Sequence, residues 1–324
     1  MLSKLYKTKL QEKIIEISKF SCIIGKKKEK TMTDAIKFNV DYKKIKVFET
    51  YNTKDLKFPF ILSLPHSGNV FPQEFLQKIK KNESILHGNE DFWVDELLKK
   101  AVDCGICTIK MNVSRVFVDV NRDKAELDPA MFIDYPFEEN SVRSKRCRYG
   151  IGVIHRVDSS SEEIYSAPIF YDETMQRIEK IYDAYHKKLQ SLINAIVKKF
   201  GYCFLLDAHS MPSKICTIID DNKKIDICLG DLFEQSCPQK ISKFFASKLE
   251  KSGFNVSYNI PYSGAYITFN YCQPRKNVYT LQLEINRSLY MDEDKKIKNA
   301  EFQTVAGSIS DAVCSLAKKM LDFK

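Results

Sequence analysis

Chemistry in this chain would start from two histidines that follow apolar runs. His66 comes after residues 58–64 in Pro65-His66-Ser67-Gly68-Asn69, and His209 comes after Phe204-Leu205-Leu206 in Asp207-Ala208-His209-Ser210-Met211-Pro212. Each run has the length of a buried strand, and Pro212 bars a return to a ladder. The carboxyl ends of the strands in an open α/β sheet face the ligand crevice, so both imidazoles are expected there. Two histidines and one carboxylate, with a fourth position left for water, are a common ligand set for a hydrolytic zinc ion. Asp91 or Asp95, in Asp91-Phe92-Trp93-Val94-Asp95, would supply the carboxylate, while Asp91 reads equally well as the cap of the helix that begins there. His87 lies in a polar loop, His155 stands beside Arg156 and His186 falls inside a helix, so none of these shares the strand-end setting.

Two further stretches could serve the same reaction. Glu284 is flanked by Leu283 and Ile285 in an apolar strand, where a carboxylate is costly unless it is paired, liganded or used. Burial raises a carboxyl pKa toward neutrality and suits a general base; an ion pair with Arg287 or another arginine is the structural alternative. Ser114-Arg115-Val116-Phe117-Val118-Asp119-Val120-Asn121-Arg122 sets an arginine near each end of one apolar run. A guanidinium fork binds carboxylates in bidentate fashion and stabilises an oxyanion. Arg122 beside Asn121 is placed to anchor a carboxylate, and Asp119 to pair with Arg115.

Positioning these groups requires a sheet. Strands are expected at 45–48, 58–64, 107–111, 116–120, 152–154, 203–206, 255–258 and 279–285, with a hairpin from 215–219 and 225–229. Helices are expected over 71–80, 91–102, 239–252 and 292–320. The longest carries Ile178, Ile181, Tyr185, Leu189, Leu192, Ile193 and Ile196 on one face and stops at Gly201. Alternating strands and helices predict an α/β sheet covered on both faces. Residues 123–150 have no period and contain Pro129 and Pro136, so they read as a long functional loop. Without a repeat or a linker after residue 50, a single catalytic domain over 41–324 is expected behind a basic extension, 1–40.

The charge sits mostly in that extension. The net charge is +9, and residues 1–49 hold thirteen lysines, no arginine and six acidic residues, so +7 lies there and +2 in the rest. A nearly neutral body argues against nucleic acid as a partner. No apolar run approaches the roughly 18 residues of a membrane span, and the stretches before Met32 are too broken for a signal-peptide core. A weak amphipathic helix is expected over 5–20. Ten cysteines without a framework spacing are expected as reduced thiols of a cytoplasmic protein, with Cys104-Gly105-Ile106-Cys107 structural.

Taken in order, the motifs resemble the N-formylglutamate amidohydrolase family. They are Pro65-His66-Ser67-Gly68, Asp91-Phe92-Trp93-Val94-Asp95-Glu96-Leu97, Ser114-Arg115 through Asn121-Arg122, Gly150-Ile151-Gly152-Val153-Ile154, Asp207-Ala208-His209-Ser210-Met211-Pro212, Gly230-Asp231, Asn259-Ile260-Pro261-Tyr262-Ser263-Gly264 and Leu281-Gln282-Leu283-Glu284-Ile285-Asn286-Arg287. The resemblance implies a fold similar to zinc carboxypeptidases and aspartoacylases (phosphorylase/hydrolase-like), with a mixed, mostly parallel sheet. It implies one zinc ion per chain on His66, Asp91 and His209, Glu284 as general base and Arg115 as oxyanion stabiliser. Asn121, Arg122, Arg287 and Tyr262 would bind the substrate. The implied reaction is hydrolysis of N-formyl-L-glutamate to formate and L-glutamate in histidine catabolism, or the corresponding hydrolysis of another small anionic N-acyl amino acid. A carboxypeptidase-like metallopeptidase is the second enzymatic reading. A non-catalytic binding protein on the same scaffold is the third, and the presence of His66, Asp91, His209 and Glu284 together argues against it. Gly264-Ala265 departs from the Gly-Gly of the family, which puts the position of that loop in question.

Overall fold

Strand alternation sorts the apolar residues of the chain onto two sides of one sheet. In the computed structural model, which describes residues 35–137, 144–216 and 224–323, seven strands pair in the order β1-β3-β2-β4-β7-β5-β6. They are β1 (Phe48–Tyr51), β2 (Phe60–Leu64), β3 (Cys107–Met111), β4 (Cys203–Met211), β5 (Ile227–Gly230), β6 (Val256–Tyr258) and β7 (Val278–Asn286). β2 is parallel to β3 and β4, β4 to β7 and β5 to β6, whereas β1–β3 and β5–β7 are antiparallel. The sheet is thus mixed and mostly parallel. A small ribbon, β8 (Met291–Asp292) with β9 (Ile297–Lys298), stands apart.

The main helices are α1 (Val94–Leu97), α2 (Lys99–Asp103), α3 (Lys145–Arg148), α4 (Asp183–Phe200), α5 (Gln239–Lys251) and α6 (Phe302–Lys319). Because side chains alternate along a strand, Phe60, Leu62, Leu64, Phe204 and Leu206 pack with α1, α5 and α6. Ile61, Cys203 and Leu205 point the other way, into the core formed with Tyr185, Leu189 and Ile193 of α4. Each fully buried Phe or Leu contributes about 2 kcal/mol of hydrophobic stabilisation. Gly201 ends α4 with φ 85 and Gly253 follows α5 with φ 91, a left-handed backbone that glycine adopts without Cβ strain. Ile36–Lys324 form one compact unit by themselves. The other unit, Met1–Ala35, holds most of the basic extension, and the helix expected over 5–20 lies outside the described residues.

Several elements differ from expectation. Residues 116–120 form turns, with Phe117 and Val118 N–H groups donating to the Ser114 carbonyl at 3.0 and 3.3 Å. Both edges of β3 are already taken, by β1 and β2, so this apolar run fills core without joining the ladder. Residues 152–154 likewise form no strand, only an isolated bridge between Ile151 and His155. The edge strand expected at 45–48 begins at Phe48, and the helix expected over 71–80 is only Gln73–Leu76. No hairpin forms around 215–229 among the described residues: Ser213–Cys216 is one helical turn, and β5 pairs with β7 and β6. The helix expected from 292 starts at Phe302, because Asp292 Oδ1 accepts the Lys295 N–H at 3.0 Å and closes the turn between β8 and β9.

Candidate metal centre and active site

Parallel β2, β4 and β7 bring their carboxyl ends to one place. His66 lies two residues past β2, and His209 and Glu284 are register partners on β4 and β7. His209 is therefore on the strand and not in a loop beyond residue 206, since pairing with β7 persists to Met211 and Asn286 before Pro212 ends it. Asp91 is not a helix cap. The residue preceding α1 is Trp93, held at φ 54 with no side-chain cap, an uncommon backbone for a bulky residue that costs roughly 1–3 kcal/mol. The Asp91 N–H donates to the His66 carbonyl at 3.1 Å, which leaves its carboxylate turned to the histidines. Asp95 points elsewhere and accepts from Lys110 Nζ at 3.2 Å.

His66, Asp91 and His209 each offer a ligand atom, all within 4.8 Å of one another and all buried. Asp91 Oδ2 lies 3.0 Å from His209 Nδ1 and 3.3 Å from His66 Nδ1. Behind each imidazole stands a second carboxylate, with His66 Nε2 2.8 Å from Asp119 and His209 Nε2 2.9 Å from Asp207. With a cation bound, a proton on Nε2 of each ring, donated to that carboxylate, would leave both Nδ1 lone pairs free to ligate. His66 Nδ1 is buried and has no hydrogen-bond partner among the described residues. An orphaned lone pair facing a carboxylate is an unfavourable arrangement that a cation relieves, so the donor set fits a zinc ion with imidazole and carboxylate ligands.

The electrostatics of the site are set by paired carboxylates. Burial raises Asp91, but the adjacent His209 and His66 more than offset this and hold it well below the usual carboxylate range. Asp119 is likewise held low against burial by Arg115, His66 and Arg122. Burial lowers His209, yet Asp207 and Asp91 together raise it well above the usual imidazole value. Glu284 differs from the other carboxylates: burial pushes it up to about 7, despite His209 nearby. It accepts a hydrogen bond from Gln282 and makes no ion pair with Arg287.

The arginines divide their donors. Arg115 gives Nε and Nη2 to Asp119 at 3.1 and 2.7 Å. Arg287 holds Ser210 Oγ, the Glu90 carbonyl and Asp91 Oδ1, and so braces a candidate ligand. Arg122 donates to the carbonyls of Ile151 and Asn121. The Asn121 amide donates to Asp207 and accepts the Ile267 N–H at 2.7 Å, and its Nδ2 lies 3.0 Å from His209 Nε2. Its polar atoms are spent on positioning. These groups, with Tyr262, line a cavity of about 330 Å³.

Three residues outside the expected set belong to this constellation. Asp207 lies two positions before His209 on one strand, and that spacing alone puts both on the same face. Asp119 pairs with Arg115 as expected, but its bond to His66 crosses a chain separation that no local pattern reveals. His155, set aside for its sequence setting, is buried in the cavity wall 3.4 Å from Asp119, and burial lowers it to about 4, so it is neutral.

Comparison with known proteins matches the chain to named relatives. The profile described as N-formylglutamate amidohydrolase matches residues 58–291. An N-formylglutamate deformylase of Pseudomonas aeruginosa is 26% identical over 250 residues, 76% of this chain and 86% of that protein. One of Pseudomonas putida is 25% identical over 240 residues, 73% of this chain and 83% of that protein. The crystal structure of N-formylglutamate amidohydrolase from Ralstonia eutropha aligns with a TM-score of 0.78 at 26% identity, covering 85% of this chain and 99% of that one. A gene product of Agrobacterium tumefaciens shares the fold, with a TM-score of 0.59 at 15% identity over 85% of this chain and 96% of that one.

Proposed function

The chain belongs to the N-formylglutamate amidohydrolase family, and from that premise we propose that it hydrolyses N-formyl-L-glutamate to formate and L-glutamate with one zinc ion held by His66, Asp91 and His209. The observation that carries the reading is the orphaned His66 Nδ1 facing Asp91 and His209, beside a carboxyl group poised near neutrality. Bound zinc supplies Lewis acidity, which polarises the formyl oxygen and acidifies water. Glu284 takes the proton of the attacking water and returns it to the amine as the C–N bond breaks; a pKa of about 7 suits both transfers. Arg115, fixed on Asp119, faces the cavity and stabilises the negative charge that develops on the formyl oxygen. Arg122 attracts a substrate carboxylate, and Asn121 holds Asp207 and His209 in place. Arg287 contributes by bracing Asp91, and Tyr262 closes one wall. A cavity of about 330 Å³ suits a small amino-acid derivative better than a peptide.

The test is formate release from N-formyl-L-glutamate by the purified protein, before chelation, after chelation and after zinc is restored. Release that disappears and returns with zinc is the expected result. A protein that holds stoichiometric zinc yet releases no formate would overturn the substrate, and release untouched by complete metal removal would overturn the metal.

A further inference from the structure

N-formylglutamate carries two carboxylates, and the cavity described so far offers its inner guanidinium groups largely to the protein itself. Arg115, Arg122 and Arg287 are each tied to carboxylate, carbonyl or hydroxyl oxygens. Arg146 is the exception. It lines the same cavity, it is exposed, and its side chain has no hydrogen bond or ion pair among the described residues.

Its position is nevertheless built. Arg146 lies in α3, whose start is capped by Ser144 Oγ accepting the Arg146 N–H at 3.2 Å and whose Cys147 is buried. The Ile151 N–H donates to the Arg146 carbonyl at 3.0 Å, and the Ile151 carbonyl accepts Arg122 Nε at 3.1 Å. Ile151 therefore tethers both the side chain of the buried Arg122 and the backbone of the exposed Arg146. The Ile151 tether and the buried Cys147 anchor the short helix at the cavity mouth.

We propose that Arg146 binds the distal, side-chain carboxylate of the substrate and so selects acidic N-acyl amino acids over neutral ones. This rests on the N-formylglutamate reading and adds to it. With the formyl group at His66, Asp91, His209 and Glu284, the α-carboxylate lies two bonds from the amide nitrogen and falls to the deeper Arg122. The second carboxylate lies further along the chain and reaches the mouth, where a guanidinium without a partner among the described residues gives a charge-assisted pair. The neighbouring Lys145 and Arg148 are also exposed and add positive potential that draws a dianion inward.

The experiment compares Arg146→Met and Arg146→Lys with the unaltered protein on N-formyl-L-glutamate and N-formyl-L-glutamine, following formate. Arg146→Met is expected to raise KM for N-formyl-L-glutamate about 10- to 100-fold with kcat nearly unchanged, the signature of binding shared by ground and transition states. Its kcat/KM on N-formyl-L-glutamine stays within about 2-fold, and Arg146→Lys recovers part of the loss. Equal losses on both substrates, or none on either, would overturn the assignment. Calorimetric titration of glutarate and butyrate into the same zinc-loaded proteins separates this from the hydrolysis reading. Tight glutarate binding that Arg146→Met abolishes upholds the carboxylate subsite even if no formate is released, and glutarate affinity unchanged by Arg146→Met overturns it.

Discussion

His209 and His186 show how two neighbouring regions of one fold treat the same side chain in opposite ways. His186, on α4, sits in an aromatic layer, with its ring 4.1 Å from that of Tyr182 and stacked on Tyr271. Its Nε2 donates to the Val120 carbonyl at 2.9 Å and its Nδ1 accepts from the Tyr271 hydroxyl at 2.8 Å, the pattern of a neutral imidazole. Burial lowers it to about 4. His209, on β4, is buried too, but Asp207 and Asp91 raise it well above the ordinary value. Burial by itself discharges an imidazole; surrounding carboxylates reverse the sign and make the place one that favours a cation. The first histidine is scaffold, and the second belongs to the candidate metal centre.

Removing charge from the carboxylate-rich region without changing its shape tests this contrast most severely. Glu284→Gln is expected to lower kcat about 100- to 10,000-fold while the circular dichroism spectrum and zinc content stay unchanged. Near-normal turnover in that variant would mean that Glu284 is only a buried polar group. Asp119→Asn comes next: it keeps an amide behind His66 but removes the charge that orients the ring, and zinc affinity measured by competitive chelation should weaken roughly 10- to 100-fold. Unchanged affinity would show that the second carboxylate does not tune the ligand.

The aromatic side of the comparison predicts a smaller effect, in stability. The folded-state pKa of His186 lies below the unfolded value of about 6.5, so its contribution is complete above that pH and is lost as pH falls from there through about 4. About 3 kcal/mol of stability should disappear over that window. Denaturant melts at pH 7.5 and 4.5 measure it, and His186→Gln should show a shallower acid loss than the unaltered protein. Parallel acid profiles would place the acid sensitivity elsewhere.

The fold was legible in the sequence where pattern and packing agree. Apolar runs in β2 and β4 are bounded by proline and glycine, and the helical stripe ending at Gly201 is continuous, so both can be read locally. Residues 116–120 look the same as a strand because a short apolar run does not disclose whether a ladder has room for it. The segment 292–320 looks like one helix in sequence because its first, charged turn carries no apolar signal against one.

For the site, the sequence by itself determined which residue types were available: two strand-end histidines, a carboxylate in an apolar strand and arginines flanking a buried run. It left open whether Asp91 caps a helix or faces the histidines. The left-handed Trp93 and the bond from the Asp91 N–H to the His66 carbonyl decided that, and both depend on where β2 ends relative to α1. The tertiary structure alone joined Asp119 to His66 and set His155 and Arg146 in the cavity lining, Arg146 with no side-chain partner among the described residues. Strand and helix periods are local and so can be read along the chain. A pairing between residues 53 apart, such as His66 and Asp119, is fixed only when parallel strands bring distant segments to one end of the sheet.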